Sequence, residues 1–573
     1  MKKSKVLSLF LTSALFAGLL AGCGGSGQTP MGTGGSADTS ASTVSSGTED
    51  ASAQEELSPV TFEYYNADGK NADWENPVAR AITEATGVTL EVSYPVSSTG
   101  DPAEDVALMI ANNEYPDLIY AKGSATDLYE AGAFLDMTDL IEQYGPNIRK
   151  MYGEELEKLK WGEGDDGIYQ LSYAGVNAQT LTTGGTCQIQ WDAIKENDYI
   201  YPTTLEEYEA LIKKYMEAHP KTEDGLDTIG ITMSASDWHW MITLGNPAGF
   251  IADAAPDNGQ WLIDDKYQVT YKHSSEDEKE YFKWLNRMYN EGILDQDFAT
   301  QTDDDYIAKV SSGRVVAITD ALWHYNQCQQ VLIKDGKPEK TYCGLPVVLD
   351  DSKTCAVMLY QGLQVGWGIG ITTSCEDPVR AVRFLDYLCS DEGQILYNWG
   401  IEGENYQLDE KGQRYRTQEE IDKANSDPDY SKNTGIKNYT GFPIYGDGAT
   451  AGDVQSYTPV TKASVIAEYN EEQLAACEKW GVEMLTDIFP QPDQFELLPY
   501  SALWAYQRPQ ELSDMESILD EIAWPGLVKC VTGSEAEFET NWNAMTAELE
   551  KNNLEEANSR MTEFLSTKLV DID

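Results

Sequence analysis

The order of elements along this chain predicts an α/β protein with a largely parallel sheet. Three observations carry that prediction. Strand-like and helix-like stretches alternate from residue 60 onward, and a second α/β region begins near residue 180. Of the 573 residues, 41% are hydrophobic, ample for a large core. The length suggests two or more domains.

Val60 to Tyr65 alternates as a strand does. Asn76 to Thr86 reads as a helix ended by Gly87, Val88 to Tyr94 alternates again, Asp101 to Asn112 reads as a helix, and Pro116 to Tyr120 is a short buried strand. In the second region Thr203 and Thr204 precede Glu206 and Glu207, which is capping-box chemistry. They start a helix whose Leu205, Tyr208, Leu211, Ile212 and Tyr215 share a face and which stops at His219-Pro220. Tyr281, Trp284, Leu285, Met288 and Tyr289 mark another inward helix face. Val315 to Ile318 is a buried strand opening into Trp323-His324-Tyr325, and Val365 to Ile371 is a glycine-rich strand. Asp377-Pro378 starts a helix with Val382, Leu385 and Leu388 inward. Residues 407–435 are polar and turn-rich and read as a surface insertion, and 500–570 read as predominantly helical.

The formal charge is −56, from 40 basic and 96 acidic residues. Such a field repels phosphate backbones and anionic lipid, which argues against nucleic acid and polybasic membrane contact. Met1 to Lys5 is a cationic segment and Val6 to Leu20 is apolar but short for a bilayer span. Residues 23–57 contain 19 Gly, Ser or Thr and read as a flexible tether. Beyond Cys23, the eight cysteines contain no C-x-x-C, and buried thiols are at least as good a reading as disulfides. The four histidines form no H-E-x-x-H, and there is no G-x-S-x-G or P-loop, so no metal and no cofactor is expected. Asn66, Asp68 and Glu75 occupy places of a calcium loop, but Tyr64 stands where its first acid belongs, so a solvated loop is the better reading.

Two resemblances add to this reading. Leu20-Ala21-Gly22-Cys23 resembles the lipobox of bacterial lipoproteins, which implies cleavage before Cys23 and lipid on it; an ordinary secretory signal with an incidental cysteine is the alternative. Stable anchoring takes two acyl chains or more, as a diacylated cysteine supplies. From residue 58 to the end, seven short stretches in order resemble the family 1 extracellular solute-binding proteins of sugar ABC importers, which include maltose-binding protein, and most of all the large oligosaccharide subgroup of Gram-positive bacteria. They are Glu84 to Val88, Asn113 to Ile119 (Asn113 where glycine is usual), Leu128 to Leu135, Asp166 to Tyr169, Gly292 to Phe298, Gly313 to Ala317, and Asp377 to Gly393. Gln188 to Asp192 departs from the family's Arg-x-Asp-Trp, which puts a local ion pair in doubt.

The resemblance implies a two-lobed periplasmic-binding-protein-like fold with the ligand cleft between lobes joined by hinge crossings. The first lobe is expected over 58–178 plus 366–405, the second over 180–362 plus 450–573, with 406–449 as insertion and crossing. It implies a monomer that captures a sugar, delivers it unchanged to permease subunits, and is not an enzyme. A sugar site needs flat aromatic platforms and planar polar groups. Trp238, Trp240, Trp323, Tyr325 and Trp74 are candidates in loops after strands, with Asp237 and His239 beside them. Tyr120, Lys122 and Asp127 follow a first-lobe strand, Tyr360 and Trp367 lie at a crossing, and Trp524 begins a helical segment that in relatives touches the cleft. Each of these rings also has a core reading. An exported glycan-degrading enzyme, or a binder of peptides or polyols, are the competing functions.

Overall fold

The computed structural model describes residues 58–569, apart from 69–72, 97–101, 163, 177–179, 360–362 and 497. Contacts separate residues 1–53 from residues 54–573, and the description concerns the second unit. The signal segment, the tether, Cys23 and Tyr360 lie outside the described residues.

Strand β1 (Val60–Asn66) leads to helix α1 (Pro77–Thr86). The Asn76 side chain accepts from the Ala79 amide, Pro77 presets the first helical φ, and Gly87 closes the helix at φ 71°. β2 (Val88–Ser93) pairs parallel with β1 from Val60↔Val88 to Tyr65↔Ser93. α2 (Ala103–Asn112) ends at Asn113, whose φ of 53° is left-handed. Asparagine tolerates that conformation better than most residues, as glycine does. β3 (Leu118–Tyr120) lies parallel to β1, and β4 (Leu171–Ser172) ends the first passage through this sheet.

The chain then forms β5 (Gly185–Gln190), α3 (Leu205–Ala218) and β6 (Ile229–Thr232). The Thr204 hydroxyl accepts from the Glu207 amide, and the five residues expected to face inward on α3 are all buried. A small hairpin, β7 (Trp261–Ile263) and β8 (Val269–Tyr271), precedes α4 (Glu276–Asn290) and α5 (Asp303–Ser311). β9 (Val315–Ala321) runs directly into α6 (Leu322–Lys334), followed by β10 (Tyr342–Leu345). β11 (Gly368–Ile371) returns to the first sheet and α7 (Pro378–Cys389) packs over it. Helices α8 (Gln510–Thr532), α9 (Phe538–Lys551) and α10 (Leu554–Ser566) close the chain against α4 and the hairpin, with Asn558 accepting from the Tyr271 amide at 2.8 Å. Among the described residues no helix is long and apolar enough to cross a membrane.

The first sheet has the order β2-β1-β3-β11-β4 and the second the order β10-β5-β9-β6. The expectation of a largely parallel sheet needs correction, because both sheets are mixed. β11 is antiparallel to β3 and β4, and β5 is antiparallel to β9 and β10. The chain leaves the first sheet by one strand and re-enters it by another running the opposite way.

The segment read as insertion and crossing divides in two. Its first part is a hairpin, Gln407–Leu408 with Arg414–Tyr415, and a helix Gln418–Ser426. Its second part is core: Tyr439 and Phe442 are buried against Trp74, and Phe442 stacks on Tyr64. In the segment that departs from the family's pattern, Asp192 pairs with Lys340 at 2.5 Å. The eight described cysteines are free thiols, seven of them buried.

Candidate functional site

In open α/β sheets, ligands gather beyond the carboxyl ends of the strands. Such ends lie here beyond the parallel strands β2, β1 and β3 of the first sheet and beyond β6 and β9 of the second.

Beyond β6 the chain reaches Asp237 and Trp238, and beyond β9 it reaches Trp323 in the first turn of α6. Trp238 is 50% and Trp323 63% exposed, the two exposed tryptophans among the described residues. Their rings lie 6.3 Å apart and within 7° of parallel. Large apolar rings held open to solvent in one orientation are a feature of recognition surfaces. Trp240 departs from expectation. The chain turns at 237–240, with the Trp240 amide bonded to the Asp237 carbonyl, so the two neighbouring tryptophans point different ways. Trp240 is buried and stacks at 6.2 Å on Trp524, whose indole N–H donates to the Ala235 carbonyl. Both therefore support the Trp238 loop from below. Tyr325 is likewise core, buried edge-on to Tyr342 at 6.0 Å.

Under the two exposed rings is a column of stacked rings. His239 lies 4.0 Å from Trp238 and 4.8 Å from His324, and His324 lies 5.4 Å from Tyr306. Carboxylates interleave with the imidazoles. His239 Nδ1 meets Asp237 at 2.7 Å, and its Nε2 is 3.8 Å from Asp303. His324 Nε2 meets Asp303 at 3.0 Å and its Nδ1 meets Asp320 at 2.9 Å, while Tyr306 donates to Asp320 at 2.7 Å. Burial works against a charge on His324, but hydrogen bonds to Asp303 and Asp320 and their charges prevail, holding the imidazolium up to about 10. Asp303 is correspondingly lowered: burial works against that, and His324 and His239 outweigh it. Asp303, Asp320 and Tyr306 were not legible as site residues. Asp303 is 64 positions from His239, and only the fold joins them; the one local signal was Asp320, four residues before His324.

The end of the first sheet is different. Tyr120 is fully buried, edge-on to Tyr173 at 5.6 Å. Lys122 takes a left-handed φ of 50° and its ammonium pairs with Asp68. Asn66 accepts from the Asp68 amide, and Glu75 is exposed. The lysine thus brings a positive charge to the acid of the broken calcium loop. Asp127 is half-buried in the helix after β3, and burial, then Glu130 and Asp514, raise its carboxyl. Trp74 needs correction as a ligand candidate: it is 6% exposed, donates to Thr83 Oγ1 at 2.8 Å, and packs on Phe384, Tyr439 and Phe442. Trp367 is half-buried edge-on to Trp504 at 5.9 Å, where the chain re-enters the first sheet.

The family model for bacterial extracellular solute-binding proteins matches residues 78–400, more than half of the chain. Lipoprotein LipO of Bacillus subtilis is 24% identical over 350 residues, 58% of this chain and 64% of that protein. The fructooligosaccharide ABC transporter substrate-binding protein FusA of Streptococcus pneumoniae is 22% identical over 349 residues, 58% of this chain and 61% of its own. The match thus spans less than two thirds of either relative. Among solved structures, a FusA EF-hand mutant with fructo-nystose is similar at a TM-score of 0.65 and 16% identity, covering 88% of this chain and 98% of that one. A human-milk-oligosaccharide (HMO)-binding, ABC-transporter-associated solute-binding protein of Bifidobacterium longum infantis is similar at 0.64 and 14%, covering 90% and 100%. The likeness to these structures establishes the two-lobed substrate-binding fold. With the family model matched across both sheets, the chain belongs to the bacterial extracellular solute-binding proteins.

Proposed function

We propose that this chain is the extracellular substrate-binding protein of an ABC importer, tethered through lipid on Cys23, which captures an oligosaccharide by closure of its lobes and hands it unchanged to permease subunits. The observation that carries the reading is the near-parallel, exposed pair Trp238 and Trp323 at the carboxyl ends of β6 and β9. Sugar rings present apolar C–H faces that such rings stack on, and the Asp237, His239 and Asp303 groups beside them offer hydrogen-bond partners for hydroxyls. Lys122 and Asp68 supply the polar counterpart at the end of the first sheet. That FusA is a fructooligosaccharide-binding protein and the Bifidobacterium relative an HMO-binding one supports a sugar ligand, and that LipO is a lipoprotein supports the anchor. The chain is read as a monomer and as a carrier, not an enzyme.

The test is thermal shift of the purified chain against oligosaccharides, polyols and peptides, with chromatography of each ligand afterwards. A ligand that binds only the native state raises stability by RT ln(1 + [L]/Kd), so one glycan raising Tm and recovered intact is the expected result. A glycan recovered cleaved overturns the carrier reading, and a shift from peptides alone overturns the ligand class.

A further inference from the structure

The chain has four histidines, and two of them directly follow the two exposed tryptophans, in the dipeptides Trp238-His239 and Trp323-His324. The fold brings these dipeptides together from positions 85 residues apart. Their imidazoles are oriented alike. His239 gives Nδ1 to Asp237 at 2.7 Å, and His324 gives Nδ1 to Asp320 at 2.9 Å. Each ring therefore turns Nε2 toward the same third group, Asp303, whose Oδ1 is 3.0 Å from His324 and Oδ2 3.8 Å from His239. One ligand atom from each of the three residues lies within 4.8 Å of the others.

We propose that His239, Asp303 and His324 form a binding site for a divalent transition-metal ion of the Zn2+ class, placed directly beneath the Trp238–Trp323 pair. The ligand set is two imidazole nitrogens and one carboxylate oxygen, which suits zinc with a coordination position left open. The outer groups are those such a site requires. A metal-bound histidine almost always donates its other N–H to a carboxylate, a backbone carbonyl or water, which fixes the tautomer and raises the nitrogen's basicity, and here a carboxylate faces that nitrogen on both histidines. Zn2+ displaces the proton that Asp303 and His324 share, which is released to solvent, and the three ligand atoms draw in from within 4.8 Å of one another to metal distances of about 2.0–2.2 Å. The reading stands whatever the organic ligand proves to be. Among the described residues competing imidazole and thiol ligands are few: His273 is fully buried, seven of the eight described thiols are buried, and His219 beside Glu196 is the other histidine with access to solvent.

The experiment is a titration of the chelator-treated chain with ZnCl2 by calorimetry, and with CoCl2 by visible absorption, alongside variants His239→Gln, His324→Ala and His219→Ala. The expected result is one equivalent of Zn2+, the ligand-field bands of a four- or five-coordinate cobalt ion, and a rise in Tm with Zn2+. At least a tenfold weaker affinity is expected in H239Q and H324A, and no change in H219A. Should H324A not fold, His239→Gln at the less buried ring decides together with H219A. Saturable binding that survives H239Q, or that is lost in H219A, overturns the site. So does the absence of any saturable binding, which leaves the cluster as a hydrogen-bonded chain of imidazoles and carboxylates.

Discussion

Trp74 and Trp323 follow strands of two different sheets, and they meet opposite fates. Trp74, beyond β1, is 6% exposed, whereas Trp323, beyond β9, is 63% exposed. The difference lies in what comes later in the chain. Residues 436–445 return over the first sheet and lay Tyr439 and Phe442 on Trp74. Gly441 makes that approach possible: its φ is 100°, and a Cβ there would stand 2.8 Å from the Tyr120 ring and from Tyr64 Oη. At the second sheet the later helix α8 passes beneath the loop, not over it. It buries Trp240 through Trp524 and leaves Trp238 and Trp323 in solvent. A ring after a strand thus becomes buried or stays exposed according to which side of its loop the distant segment covers.

The strongest way to break this comparison is to truncate one ring on each side. Trp74→Ala should cost about 3–5 kcal/mol of stability, the range for large buried aromatics, while leaving affinity for a glycan ligand within a few fold. Trp238→Ala with Trp323→Ala should do the reverse. It should cost about 2–4 kcal/mol of affinity with Tm nearly unchanged, since exposed rings contribute little to folding. Denaturation and calorimetry on the same preparations read both quantities. If W74A weakened binding as much as the double variant does, the division into core and platform would fail.

The support beneath the platform can be probed by pH. Asp520 is one turn before Trp524 in α8 and accepts from Tyr271 at 2.5 Å and Gln260 at 3.0 Å. Burial, then the Glu516 charge, pushes its carboxyl up to about 7, against Tyr271, Gln260 and Lys272, which lower it. The native state therefore keeps a proton that the unfolded chain releases near pH 4, so this group's contribution is full below pH 4 and is lost as pH rises through 7. The stability of the wild type relative to Asp520→Asn should fall by about 2–3 kcal/mol between pH 5 and 8. A constant difference across that range would place Asp520 ionised in the native state and remove this sensitivity from α8.

How far the sequence reached follows the same division. Helix stripes such as Leu205 to Tyr215 and caps such as Asn76 and Gly87 were legible because three to five adjacent residues determine them. Trp238 and Trp323, singled out because each lies a few residues beyond a strand end, are the exposed rings among these candidates. Trp74, Trp240 and Tyr325 carried the same local signal and became core, through contacts with Phe442, Trp524 and Tyr342 respectively. The His239–Asp303–His324 cluster was not legible, since no residue in it is close in sequence to another. The mixed sheets were missed for a related reason: strand direction depends on where the chain re-enters a sheet, which β11 settles nearly two hundred residues after β4.

Lys122 offers the smallest effect and the finest discrimination between the two ends. Its φ of 50° is a conformation that L side chains enter at a cost of about 1–2 kcal/mol, and its pair with Asp68 is part-exposed on both sides. Exposed ion pairs contribute about 0–1 kcal/mol, so the pair does not by itself offset the backbone strain. Strain that local contacts do not repay is a mark of positions held for a ligand. Lys122→Gly removes strain and ion pair together, and the opposing terms should leave stability within about 1 kcal/mol of the wild type. Glycan affinity should nevertheless fall several fold, because the Lys122 ammonium goes with the side chain. Unchanged affinity with raised stability would show that the first sheet's end contributes shape alone, and would leave recognition to the tryptophans of the second.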